Sequence, residues 1–399
     1  MVNHSDHNFD YTVVGGGLFG AAAARHLSYQ GHNVLVFAPE EPQERVSHEG
    51  VFASHYDEAR ITRMLDADEI WSDLAQTSIK RYQQIEFDSG IKFHHNAQYL
   101  FLAHNEDDSL NLNINVAKAH NIDFDLLDSF SLNTRMPFLQ IGIDEKGLLE
   151  PSPAGYVNPR ALLRAQLKCA LDKGIQLENQ IVNELVETSN GVEIITSEGH
   201  RYFTSKVLLT TGVHTNYLLD SPLDLYIQGR MVVFVKLSDS LVKSLSEMPS
   251  ISHHPANRVN TYLLPPVKYP DGSTYVKIGV HNSERILKSD DEIREWFRNG
   301  TDKHEKEIAY QSIVELIPTL EGQPIHTETC AYTMTATGHP YVGMLSSHIG
   351  VAVGGNGMGA KSSDEIGRLG TAVLQGEIID KCFTPIQEKF VSGRSKFHL

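Results

Sequence analysis

The stretch YTVVGGGLFGAAAARHLSYQGHNVLVFAPEEP, residues 11–42, decides the fold. YTVV reads as a short buried strand, AAAARHLSYQ is rich in helix formers, Gly31 ends that helix, and NVLVFA is a second apolar strand. Between the first strand and the helix, Gly15, Gly17 and Gly20 form G-x-G-x-x-G. In a strand–turn–helix–strand context this spacing makes a dinucleotide-binding unit. Gly15 permits the tight turn, Gly17 lets backbone approach a pyrophosphate, and Gly20 lets helix and strand pack closely. The phosphates then meet free N–H groups at the helix N-terminus. One position departs from the pattern. The acidic residue that usually ends the second strand and holds the ribose hydroxyls is Ala38 here, leaving Glu40 or Glu41 as substitutes from the loop.

Working outward, residues 69–90 read as an amphipathic helix, 97–105 as a strand, and 158–174 as a helix with Pro159 in its first turn. VLLTTG is a buried strand ending at Gly212; RMVVFVKLS and TYVKIGVHN are further strands. Residues 349–374 repeat the order strand, glycine-rich turn, helix. Nucleotide-type segments thus lie at the beginning, middle and end, with strand-rich segments between. The expected fold is α/β: a Rossmann-like dinucleotide-binding domain (1–63, 150–215 and 325–399) interleaved with an α+β domain built on an antiparallel sheet (64–149 and 216–324). A chain of 399 residues suits about two domains.

Composition narrows the function. With 34 Lys plus Arg against 50 Asp plus Glu, the net charge of −16 disfavours nucleic acid and anionic membrane as partners. Cys169, Cys330 and Cys382 are widely spaced and odd in number, which speaks against a disulfide framework or a cysteine metal site. No apolar run reaches a membrane span, the polar start has no signal-peptide pattern, and the terminal SKFHL is not a peroxisomal signal. These readings favour a cytoplasmic protein, a monomer or small homo-oligomer. His94, His95, His253 and His254 form adjacent pairs without metal-type spacing and read as surface or loop residues; Asp66, Asp68 and Glu69 read as an acidic helix start. No metal site is expected.

Five further motifs stand in a fixed order: SHYDEARITR, with Arg60 and Arg63; YLLP from Tyr262; KIGVH from Lys277 to His281; CAYTMT from Cys330; and GGNGMG, with Gly355, Gly357 and Gly359. Together with the first glycine turn they resemble the D-amino-acid-oxidase-like flavoprotein superfamily, and within it the sarcosine and N-methyltryptophan oxidase group. The resemblance implies FAD, held by Gly15, Gly17, Gly20, Gly212 and the GGNGMG turn, whose following helix points its positive end at the flavin. It implies oxidation of a small amine or amino acid, often a secondary amine, by hydride transfer to flavin, with oxygen as acceptor and hydrogen peroxide as product. It also places FAD attachment on the Cys330 sulfur, near Arg60 or another basic group that favours the thiolate. A buried structural cysteine beneath a noncovalent flavin is the alternative.

By the same resemblance, Lys277 supplies an oxygen-activating charge, and Arg60, Tyr262, His281 and Tyr332 line the reaction pocket. The bland reading of Lys277 is a lysine snorkelling at a strand edge. Arg63 is the expected carboxylate anchor, a guanidinium being able to grip a carboxylate with two donors. Its bland reading is a surface ion pair with Asp66 or Glu69, worth little. Lys361 completes the clamp only if the last glycine turn is shifted; an ungapped match puts Gly359 there, which places a carboxylate-bearing substrate in doubt. Rival functions are a dehydrogenase on the same scaffold using a quinone or protein acceptor, a non-catalytic FAD-binding subunit of an oxidase complex, and an NAD-dependent dehydrogenase.

Overall fold

The computed structural model describes residues 8–281 and 285–387, so both terminal signals discussed above lie wholly or largely outside the described residues. The opening stretch folds as strand Asn8–Val14, helix Leu18–Tyr29 and strand Val34–Phe37. Asn8–Val14 runs parallel to Val34–Phe37 on one side and Arg201–Leu209 on the other. Gln176–Glu178 and Ile349–Val353 extend the parallel layer outward. Val34–Phe37 is buried at all four positions, as a parallel strand covered on both faces requires. On one face Val13 and Leu208 pack against Leu27 of the first helix and Ile366 and Val373 of helix Gly359–Leu374. On the other, Val14, Phe37 and Leu209 pack with Val182, Val192 and Ile194 of an antiparallel hairpin.

A second sheet of nine strands, mostly antiparallel, forms the other layer. At its centre Leu225–Lys236 pairs with Thr274–Val280 and, from Leu225 to Val235, with Ile325–Thr335. That last strand falls in the segment assigned above to the dinucleotide unit, yet all of its ladder partners are in the second sheet. Beneath it, helix Lys303–Leu316 buries Ala309, Ile313 and Leu316 against Val233, Val235 and Ile278. Two helices sit where the sequence puts them for local reasons. Asp68 caps Glu69–Ser89 by accepting from the N–H groups of Ile70 and Trp71, and Gly90 ends it in the left-handed region at φ 68°. Asn158 caps Pro159–Leu171, whose first residue needs no N–H.

One buried carboxylate ties four helices together. Asp364 accepts from Arg25 (2.7 Å), Gln166 (2.9 Å) and Arg81, each on a different helix. Burial alone would raise its pKa, but His26, Arg25 and Arg81 hold it well below the usual carboxylate range. A fully buried charge is tolerated only with such pairing. Among the described residues no helix is long and apolar enough to cross a membrane.

Candidate functional site

A cavity of about 540 Å³ opens where the ends of the parallel strands meet the second sheet. On the parallel side its wall is Gly15 and Gly17, then Gly212, then Gly355, Gly357, Gly359 and Lys361. This is the carboxyl edge of the layer, where open α/β sheets bind ligands. Gly15 adopts φ +102°, and a Cβ there would lie 2.7 Å from the carbonyl oxygen of Thr210. Gly20 does not line the cavity; a Cβ on it would meet the Gly15 oxygen at 1.9 Å, so its work is close packing.

Helix capping separates this edge from the rest of the molecule. Among the described α-helices, seven have a capping side chain that accepts from a first-turn N–H. The remaining two, Leu18–Tyr29 and Gly359–Leu374, have Gly17 and Met358 at the cap and no side-chain hydrogen bond. Both begin at the cavity. Their N–H groups and positive dipole ends are left for an anionic ligand, and this chain's residues therefore fit a dinucleotide. Neither Glu40 nor Glu41 lines the cavity: Glu41 is held by Arg160 at 2.5 and 2.7 Å. Among the described residues that line the cavity none is acidic.

The opposite wall comes from the second sheet. Along Ile325–Thr335 side chains alternate, so Cys330, Tyr332 and Met334 share the face toward the cavity. Arg230 lies directly across the ladder from Cys330, with its guanidinium 4.9 Å over the Tyr332 ring. It is the basic group nearest the thiol in register, where sequence reading offered Arg60 or another basic group. Tyr262 stands on the neighbouring strand opposite Gly279, and a Cβ on Gly279 would lie 2.5 Å from the Tyr262 oxygen. The glycine of Lys-x-Gly-x-His is thus the seat of the tyrosine ring. His281 packs edge-on to Tyr262 at 5.5 Å, and its Nε2 has no hydrogen-bond partner among the described residues. Burial lowers the His281 pKa to about 3 and raises that of Tyr262 to about 12. This wall is therefore uncharged at neutral pH apart from Arg230.

Charge collects at two places. Arg63 and Lys361 line the cavity, and Asp66, which does not, accepts from them at 2.9 and 2.7 Å, all three side chains being buried or nearly so. Lys361, not Gly359, thus stands beside Arg63. Of the acidic helix start, Asp68 is the cap and Glu69 the first helical residue, while Asp66 is buried and its pair with Arg63 is no surface contact. Next to it, buried Glu150 accepts from the N–H groups of Met64 and Leu65, each at 2.9 Å. Behind the wall, Lys277 donates to Asp57 and to the Ala59 carbonyl, both at 2.5 Å. Lys277 does not line the cavity, whereas Arg60, which also pairs with Asp57, does. The histidine pairs are strand residues: His94 and His95 form a short strand, His253 meets Glu145 at 2.6 Å, and His254 meets Asp107 at 3.5 Å.

Asp57, Asp66 and Arg230 were missed as site residues. For Arg230 a signal existed, since a lone cation opening the apolar run RMVVFVK raises the same question as Lys277. For the aspartates there was only proximity in sequence to an arginine.

The family described as FAD dependent oxidoreductase matches residues 10–372. The chain belongs to that family. It is an FAD-dependent enzyme, and the NAD reading is set aside. Monomeric sarcosine oxidase of Bacillus sp. (strain B-0618) is 25% identical over 377 residues, covering 91% of each chain. N-methyl-L-tryptophan oxidase of Escherichia coli (strain K12) is 23% identical, covering 95% of this chain and 98% of that one. Among solved structures, NikD, an unusual amino acid oxidase essential for nikkomycin biosynthesis, superposes with a TM-score of 0.78 at 19% identity, over 97% of this chain and all of that one. That likeness shows the shared fold.

Proposed function

We propose that this enzyme oxidises a small amine, most simply a secondary amine, at the carbon beside nitrogen, and that oxygen takes the electrons to give hydrogen peroxide. The observation that carries the reading is the pair of uncapped helix N-termini facing one cavity whose far wall is Tyr262, His281 and Tyr332. The names of the two sequence relatives, both oxidases of N-methylated amino acids, support the substrate class. Bound FAD supplies the hydride acceptor. The chain supplies position and charge. The aromatic wall excludes water and holds the amine. With a pKa near 3, His281 does not take the amine proton; its unpartnered Nε2 accepts a hydrogen bond from the substrate N–H. Lys277 is the fixed positive charge for the oxygen step, acting through the wall.

A second reading, a dehydrogenase passing electrons to a quinone or protein, is favoured by one observation: Lys277 is paired with Asp57 and set back from the cavity. Anaerobic reduction of the purified enzyme by a panel of N-methyl, cyclic and D-amino acids and simple amines tests the amine reading. Peroxide release in air then separates the two acceptors. We further propose that flavin is attached through Cys330, which lines the cavity with Arg230 directly across the ladder from it. Acid-precipitated protein should then stay yellow, and Cys330→Ser should release the colour; a colourless wild-type pellet would sink the attachment. Cytoplasmic location, a monomer or small homo-oligomer, and the division into two interleaved domains belong to the same reading, with Ile325–Thr335 moved to the substrate side.

A further inference from the structure

The basic clamp at the cavity wall already holds a carboxylate, and that carboxylate is the chain's own. One oxygen of Asp66, Oδ2, takes Arg63 at 2.9 Å and Lys361 at 2.7 Å. Its other oxygen accepts the Asp68 N–H at 3.2 Å. The segment that carries it is pinned from both sides. Glu150 holds the N–H groups of Met64 and Leu65, while Ser72 donates to the Met64 carbonyl at 2.9 Å. Asp66 therefore sits on fixed backbone with both oxygens used. Arg63 and Lys361 thus each give a donor to the chain's own carboxylate, which weakens their pull on an incoming anion. Arg230, on the facing wall, shows that neutralisation is not general in this cavity. Its Nε has no partner, its Nη1 donates only to the Val280 carbonyl at 3.1 Å, and no ion pair to it is found among the described residues.

We propose that Asp66 is a specificity-determining residue, a resident carboxylate that does not itself line the cavity but engages Arg63 and Lys361, which do, so that the substrates are amines recognised without a carboxylate in that clamp. The proposal rests on the amine-oxidation reading above and narrows it. A substrate bringing its own carboxylate would have to displace a buried, doubly paired one, or be repelled by it. An amine with a neutral substituent meets no such penalty.

Two measurements on the FAD-loaded protein test this. The first is calorimetric titration with benzoate, which needs no turnover. Asp66→Asn keeps the side chain's shape and frees the two cations, and should bind benzoate at least about tenfold tighter than wild type. The gain should vanish in Asp66→Asn/Lys361→Met. Equal benzoate affinity in wild type and Asp66→Asn would overturn the proposal. The second needs no variant: anaerobic reduction of wild type by N-methylbenzylamine and by N-methylphenylglycine, which differ by one carboxylate. The carboxylate-free amine should be at least about tenfold the better reductant by rate over dissociation constant; preference for the acid would overturn the proposal. If neither amine reduces the enzyme, amine oxidation itself fails, and the benzoate titration still decides the role of Asp66.

Discussion

Two buried lysines, Lys277 and Lys361, each meet one aspartate, and the two pairs differ in where they stand relative to the cavity. Lys277–Asp57 lies behind the wall, further tied by Tyr269, which donates to Asp57 at 2.8 Å, and by Arg60. Burial first, and then the Arg60 guanidinium, lower the Lys277 pKa well below the usual lysine value. Lys361 lies on the wall itself, with Asp66 set off the lining, and burial and the neighbouring Arg63 bring Lys361 down to about 8. Like chemistry thus serves unlike ends. A charge behind the wall acts on the reaction only through space, with little direct effect on ligand affinity. A charge on the wall is felt by every ligand that enters.

The sharpest way to break this contrast is Lys277→Met. Loss of the set-back charge should slow reoxidation of the reduced enzyme by oxygen more than a hundredfold, about 3 kcal/mol of transition-state stabilisation, and change reduction by substrate only a few-fold. Stopped-flow measurement of the two half-reactions checks this, and near-wild-type reoxidation would remove Lys277 from the oxygen step. Next comes Lys361→Met, which leaves Asp66 with Arg63 alone. Urea unfolding should show a loss of about 3 kcal/mol, and the double variant Lys361→Met/Asp66→Asn should regain at least half of it. A loss under about 0.5 kcal/mol would mean that the wall pair is solvated.

The smallest effect concerns pH. Burial raises the Glu150 pKa to about 7, against the backbone N–H groups and Arg63 that lower it. A carboxyl raised in the folded state binds its proton more tightly there than in the unfolded chain. Its contribution to stability is complete below the unfolded value near 4.5 and is lost as pH rises through 7. Between pH 5 and 7.5 wild type should therefore lose about 2 kcal/mol on this account. Glu150→Gln should flatten that slope in thermal melts; an unchanged slope would assign it to other groups.

Much of this was legible in local chemistry. The glycine turn, the Pro159 helix start and the alternation that turns Cys330 and Tyr332 to one face depend on a few neighbouring residues. What escaped depends on distant packing. Nothing near Asp66 in the chain says that Lys361, 295 residues on, will share its oxygen. Nothing in Ile325–Thr335 says which sheet it joins, because an alternating strand suits either. The histidine pairs were read as surface or loop residues because a period-two pattern is hard to see in so short a run as His94–His95.

The Asp364 junction has a consequence for how the molecule is made. Its partners Arg25 and Arg81 precede it by 339 and 283 residues, so they leave the ribosome long before the acid that neutralises them. Contacts of such separation close late. The same helix that brings Asp364 also brings the second uncapped N-terminus of the cavity. Assembly of the four-helix junction and completion of the cofactor cradle are thus one late event in biosynthesis. A chain halted at Met358 should keep its first strand in the sheet, leave Arg25 and Arg81 without their acid, and be unable to retain FAD.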